Sequence, residues 1–190
     1  MIAPASVRPL ISALFPALAI AMATSSHAQS WETMREVVFD SSVFSSTGTA
    51  EDREILKTVW ATELSAPRPG SAGKRMPAFA LLGDTATAEG KVIFSMFAAA
   101  GNTLCLDAPN GAAAMDIYSV CTMRVIAWPP RPGLRAFELP GYCMLYANTD
   151  RSQNRVEYRI EQTQPALTIR FRAWQFGKVI PACNRAMRLS

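Results

Sequence analysis

Hydrophobic and polar positions alternate most cleanly over Arg155–Phe176. Val156, Tyr158 and Ile160 are apolar, and Arg155, Glu157, Arg159 and Glu161 between them are charged. In a second run, Leu167, Ile169, Phe171 and Ala173 alternate with Thr168, Arg170, Arg172 and Trp174. Two neighbouring runs of period two predict a hairpin of half-buried antiparallel strands. A turn over Gln162–Pro165 sets Ile160 against Leu167, Tyr158 against Ile169 and Val156 against Phe171. Glu157 then faces Arg170, an opposite-charge pair, and Arg155 faces Arg172, a like-charge pair.

The period changes to that of a helix over Ala50–Leu64. Thr49 and Asp52 have the spacing of a capping box, and Glu51, Asp52 and Glu54 suit the positive end of a helix. Ile55, Leu56, Val59, Trp60 and Leu64 form one stripe, with Trp60 expected in the core. Pro67 ends the element. Pro67–Pro77, with Arg68, Lys74 and Arg75, reads as a basic connecting loop. Ser30–Phe44 fits both periods and reads best as extended, before a polar turn at Ser45–Thr49.

The remainder reads as a meander. Strands are expected at Ala78–Leu82, Lys91–Ala98, Thr103–Asp107, Met115–Trp128, Leu134–Leu139 and Tyr142–Tyr146, and near Lys178–Ile180. The turn signals are Gly83-Asp84, Glu89-Gly90, Pro109-Asn110-Gly111 and Pro140-Gly141. Met115–Trp128 is apolar on both faces, so the helix is expected to cover one of them. The pattern predicts a mainly β, α+β fold: an antiparallel sheet, curled barrel or sandwich with one N-terminal amphipathic helix.

The first 28 residues follow another logic. Arg8 is the single charge before an apolar run from Leu10 to Met22, and Ser26-His27-Ala28 offers the small residues that a signal peptidase reads. Met1–Ala28 is expected to be a cleaved secretory leader, with Gln29 first in the mature chain. The run is shorter than the roughly 20 residues of a spanning helix, so no transmembrane segment is expected after cleavage. Residues 29–190 then form one exported, periplasmic or secreted domain of 162 residues, enough to bury a core.

Losing the leader removes His27, the only histidine. The mature chain has no imidazole for a Ser–His–Asp or Cys–His mechanism, or for a zinc site that needs histidine. Cys105, Cys121, Cys143 and Cys183 remain, an even number in an oxidising compartment. Their spacings do not suit a zinc ribbon, so two disulfides are expected, Cys105–Cys121 and Cys143–Cys183. No metal or cofactor is expected. The sequence contains no phosphate-binding loop, dinucleotide fingerprint or nucleophile elbow.

Charge is unevenly placed. Gln29–Asp150 carries ten Lys or Arg against thirteen Asp or Glu, a net of −3, whereas Arg151–Ser190 carries eight against two, a net of +6. Fourteen of the mature chain's eighteen basic residues are arginine, whose planar fork matches carboxylate and phosphate. The outward positions of the hairpin, Arg155, Arg159, Arg170, Arg172 and Trp174, are the candidate binding residues. Interleaved cations and an aromatic can grip an anionic envelope polymer or an acidic protein partner, and export argues against nucleic acid. The plainer reading is a solvated strand face whose charges pair with Glu157 and Glu161.

Carbohydrate-directed function is the alternative, as a lectin-like module or an acidic-residue hydrolase. Asp107 and Asp116 flank the Pro109–Gly111 turn and are the candidate acid pair. Leu104-Cys105-Leu106-Asp107, with Cys121 sixteen residues on, resembles a single repeat of a ricin-type lectin domain. The Gln-x-Trp element and the further copies of a trefoil are missing from the sequence. The leading expectation is a non-catalytic exported binding domain.

Overall fold

The computed structural model describes residues 30–40, 47–68, 76–107, 118–131, 133, 136–145, 150–163 and 166–189. In chain order the strands are β1 (Glu32–Thr33), β2 (Arg35–Phe39), β3 (Ala78–Thr87), β4 (Gly90–Ala99), β5 (Cys105–Asp107), β6 (Tyr118–Trp128), β7 (Phe137–Leu145), β8 (Arg155–Thr163), β9 (Ala166–Gln175), β10 (Lys178–Val179) and β11 (Arg185–Leu189). Helices α1 (Ala50–Val59) and α2 (Ala61–Ser65) lie between β2 and β3. All strand pairing is antiparallel and falls into two sheets. One sheet runs β2-β3-β4-β6, with β5 and β7 also on β6. The other runs β1-β8-β9, with β10 and β11 sharing the far edge of β9.

Neither sheet closes into a barrel; they stack as a sandwich. The chain crosses between them at Met34, buried between β1 and β2, whose amide donates to the Val156 carbonyl. The core between the sheets is built on aromatic edges. Phe94 meets Tyr158 and Phe171 edge-on at centroid distances of 4.8 and 5.4 Å, and Tyr142 meets Phe171 at 5.1 Å. Edge-to-face pairs stabilise beyond their buried area, because ring faces are negative and ring edges positive.

The helical layer covers the other face of the six-stranded sheet. Ile55, Leu56, Val59 and Trp60 pack on Val37, Ala80, Leu82, Ile93 and Phe97, with Ile126 and Trp128 against them. The expected cover for the apolar second face of β6 is therefore this helix. Trp60 has no solvent exposure, stacks on Phe97 at 5.4 Å and donates its indole N–H to Ser95 Oγ at 2.5 Å. The predicted capping box is formed: Thr49 Oγ1 accepts from the Asp52 amide, and the Asp52 carboxylate accepts from the Thr49 amide.

The helix differs from expectation in one respect. It is broken at Trp60, whose φ of −117° and ψ of 29° leave the helical region. Arg124 on β6 fills the break. It grips Glu63 through both Nη atoms at 2.6 and 2.8 Å, gives Nη1 to the Val59 carbonyl at 2.9 Å, and lies over the Trp60 ring. A cation there neutralises the negative end of α1.

Two expected turns are not turns. β3 runs straight through Gly83-Asp84, and Gly83 sits opposite Phe94. A Cβ at Gly83 would collide with the Phe94 ring, so the glycine provides close approach rather than a bend. Pro140-Gly141 lies inside β7, opposite the register shift between Cys121 and Met123. It is a bulge, where Pro lacks no ladder bond and Gly141 takes a φ of +91°.

The hairpin keeps its faces but shifts its register by two residues. The last paired residues are Thr163 and Ala166, so the loop is two residues long instead of four. Tyr158 faces Phe171, Glu157 faces Arg172, and Arg155 faces Trp174. The expected Glu157–Arg170 and Arg155–Arg172 pairs are not made. A shift of two preserves the alternation, so Val156, Tyr158, Ile160, Ile169, Phe171 and Ala173 are buried in either register. β11 was not anticipated.

Both expected disulfides are present, Cys105–Cys121 across β5 and β6 and Cys143–Cys183 between β7 and a 3-10 turn at Pro181–Cys183. Two disulfides suit an oxidising compartment. The leader Met1–Ala28, residue Gln29, Ser41–Ser46, Lys74, Arg75, the Pro109–Gly111 turn and Asp116 lie outside the described residues.

Candidate functional site

The five-stranded sheet buries one face against the rest of the molecule and turns the other outward. On β8 and β9 the outward positions are Arg155, Glu157, Arg159, Glu161, Thr168, Arg170, Arg172 and Trp174. All five residues singled out from the sequence therefore share one surface. Their pairing follows from strand register, with Glu157 beside Arg172 and Arg159 beside Arg170.

Two glutamates organise the arginines. Glu157 is only 6% exposed. It accepts from Arg155 Nε at 2.6 Å, Arg172 Nε at 2.6 Å and Trp174 Nε1 at 2.8 Å. Burial pushes its pKa up, but these three donors outweigh that and hold the carboxyl below the ordinary carboxylate range. Glu161 accepts from Arg170 Nε at 2.7 Å and from Arg159 Nη2 at 2.5 Å. The Arg170 bond, helped by Arg159, also lowers its pKa. The like-charge opposition on this face is Arg159 against Arg170, and Glu161 bridges it.

Aromatic rings lock the guanidinium planes. Arg155 lies over Trp174 at 4.6 Å, and Arg172 lies over both Trp174 and Trp31 at 5.1 and 4.0 Å. Arg159 also sits over Trp31, at 5.0 Å. The result is a ladder of alternating cations and indoles crossing β8, β9 and the residue before β1. Stacking of this kind suits arginine, which is planar and weakly hydrated.

The arginines are not equivalent. The Arg170 side chain is half exposed, whereas those of Arg155, Arg159 and Arg172 are between 22% and 29% exposed. The expected patch is thus partly buried and partly neutralised. Its four arginines exceed its two glutamates by two charges. Arg188, opposite Thr168 on β11, adds another exposed cation to the same face.

Beside β9 the face dips into an open groove of about 470 Å³. Trp31, Arg170, Arg172, Val179, Asn184 and Arg185 line it. Arg185 borders it from β11 but stands opposite the core-facing Phe171, and its guanidinium donates Nε to the Gly141 carbonyl at 3.1 Å and Nη1 to the Asn184 carbonyl. Sequence reading missed Trp31, Asn184 and Arg185. Trp31 stands in a short polar context without periodicity, and β11 pairs only through contacts distant in sequence. Other clefts include a small one near Met34, Glu36 and Arg151 and an apolar one near Met76, Phe79 and Asn102.

No family model, curated protein or solved structure matches this chain. Among the described residues, no group of three or more His, Cys, Asp or Glu is placed to hold a metal ion. Asp107 lies on β5, and its expected acidic partner Asp116 falls outside the described residues. No described helix is long and apolar enough to cross a membrane.

Proposed function

We propose that this protein is a non-catalytic exported domain that presents the outer face of its five-stranded sheet to an anionic envelope polymer or an acidic protein partner. The observation that carries this reading is the pre-organised excess of arginine. Each guanidinium has five N–H donors, and its bond to Glu157 or Glu161 uses few of them while fixing its plane. Binding then costs little side-chain entropy, the main loss when flexible cations are immobilised. Export rests on the leader-like Met1–Ala28 and the two disulfides, and it places the ligand outside the cytoplasm. N-terminal sequencing of the exported protein should give Gln29 first.

Arg155 and Arg172 make poor test positions, because removing them strips buried Glu157 of its partners. Arg170 and Arg188 are exposed and better suited. In a salt series against envelope fractions, the parent should bind more weakly as ionic strength rises, since exposed charges are screened. Arg170→Ser with Arg188→Ser should weaken binding with the fold intact by circular dichroism. Equal, salt-independent binding by both proteins would return this surface to a solvated strand face.

A further inference from the structure

We infer that the turn between β9 and β10, Phe176-Gly177, is a wedge that enters the headgroup layer of an anionic phospholipid bilayer. This goes beyond the reading above, because it concerns the end of the five-stranded sheet and not its outer face. Gln175 pairs with Lys178, so the loop is two residues long. Phe176 has a φ of +50° and Gly177 one of +73°. Two-residue loops with both φ values positive are those of type I′ turns, whose first position favours Asn, Asp or Gly. A bulky side chain in that region is held against its steric preference. The neighbouring loop clamps it there. The Phe176 amide donates to Asn154 Oδ1 at 2.9 Å, and the Gly177 amide to the Gln153 carbonyl at 3.0 Å. Asn154 is itself buried, and its Nδ2 donates to the Asp150 carbonyl at 3.1 Å. A lone exposed apolar residue is ordinary. Phe176 differs, because its strained backbone is matched by a side chain left 48% exposed, so burial offsets little of the strain. Local rules are broken in this way where the residue serves a function.

The surroundings select the partner. The other exposed large apolar side chains among the described residues, Met76, Leu106 and Phe137, belong to the six-stranded sheet and its approach. The tip therefore offers a single ring, beside exposed Gly177 and Lys178. A protein interface needs roughly 800 Å² on each side around an apolar core. A bilayer needs less, because shallow burial of an aromatic ring adds to electrostatic attraction, and two weak signals together hold a protein at the surface. The second signal is charge. The turn, the loop that clamps it and the adjoining ends of β8 and β9 carry Arg151, Arg155, Arg172 and Lys178 against Asp150 and Glu157, with Glu36 paired to Arg151. Further along the outer face, Arg159, Arg170 and Arg188 stand against Glu161. Seven cations exceed four acids by three, which suits anionic headgroups.

The test is co-sedimentation of the full mature protein with vesicles of phosphatidylcholine alone and of phosphatidylcholine mixed with phosphatidylglycerol. The parent should bind the mixed vesicles, less so as salt rises, and the neutral ones more weakly. Phe176→Asn supplies a residue that tolerates positive φ. It should raise the melting temperature and weaken binding to mixed vesicles about fivefold to tenfold, the loss of about half a buried phenylalanine side chain. Phe176→Trp should keep the binding, and lipids with brominated acyl chains should quench its fluorescence more than that of the parent. Equal binding by the parent and Phe176→Asn overturns the wedge, as does no binding to mixed vesicles. A lower melting temperature for Phe176→Asn removes the strain on which the wedge rests and overturns it too. If Phe176→Asn loses binding to envelope proteins but not to vesicles, the ring fits a protein pocket and the bilayer is refuted. In each of these cases the outer-face reading, tested at Arg170 and Arg188, still stands or falls by its own salt series.

Discussion

Replacing Glu157 by glutamine changes one atom in size and one full charge in a buried position. The carboxylate accepts three hydrogen bonds, two of them from arginine at 2.6 Å. A bond to a charged group contributes about 1.5–3 kcal/mol and a neutral one about 0.5–1.5 kcal/mol. Glutamine keeps one acceptor oxygen for three donors and turns an NH2 toward a guanidinium. Weakening two charge-assisted bonds by about 1–2 kcal/mol each puts the cost at about 2–4 kcal/mol. The Arg155 and Arg172 side chains are 22% and 26% exposed, so solvent screens them only partly. In urea, with a slope of about 2 kcal/mol/M, the midpoint should fall by about 1–2 M without a change in slope.

The sign of the pH dependence follows from the lowered pKa of Glu157. Its folded value lies below the ordinary 4.5, so the charge stabilises fully above that pH. The contribution is lost as pH falls through the lower folded value. The gap between parent and Glu157→Gln should therefore stay level from neutral pH down to about 5 and close in stronger acid. Binding to an anionic ligand should move the other way, because the variant face gains one net positive charge. A variant within about 0.5 kcal/mol of the parent, or a gap that persists in acid, refutes the account of Glu157 as the clamp of this face.

Three further outcomes follow from packing and cross-links. Trp60→Ala should cost about 3–5 kcal/mol in denaturant unfolding, and Trp60→Phe less, about 1–3 kcal/mol, since it leaves Ser95 without the indole donor. A Trp60→Ala protein as stable as the parent would mean that α1 does not pack on the sheet. Gly83→Ala should cost about 1–3 kcal/mol or more by forcing the Phe94 ring aside, seen as a lowered melting temperature; an unchanged one contradicts the close approach. Peptide mapping without reduction should recover Cys105 with Cys121 and Cys143 with Cys183. Loss of the second link, which spans 40 residues, should cost about 4 kcal/mol by chain entropy, and free thiols at all four positions would contradict both links.

Local chemistry was legible in the sequence and long-range pairing was not. The capping box at Thr49 and Asp52, the stripe from Ile55 to Trp60 and the two faces of β8 and β9 all depend on near neighbours. Register depended on loop length, and Gln162–Pro165 looked like a four-residue turn because Pro165 marks one. Gly83 and Pro140-Gly141 carry the same residues that turns use, but β4 and β6 decided their roles from across the sheet. Arg188 joins the arginine face only because β11 folds back beside β9. Trp31 is more than 120 residues from the arginines it stacks on, and no local pattern points to them.

The layered arrangement divides charge as well as hydrophobic surface. Helices α1 and α2 carry Glu51, Asp52, Glu54 and Glu63 against Arg53 and Lys57, while Arg151–Ser190, which builds most of the five-stranded sheet, carries eight cations against two anions. The six-stranded sheet stands between them, with layers spaced about 10 Å from one another. Each helix acid is paired, Glu51 with Lys91, Asp52 with Arg35, Glu54 with Lys57 and Glu63 with Arg124, so the helical side is nearly neutral and the unbalanced charge sits on the arginine side of the stack. At about 0.01 M salt the Debye length is about 30 Å, longer than the stack, and an anionic surface exerts a torque that turns the arginine side forward before contact. At physiological salt it is about 8 Å, less than one layer spacing. There the arginine side is felt only close to contact, and the protein finds its orientation by collision.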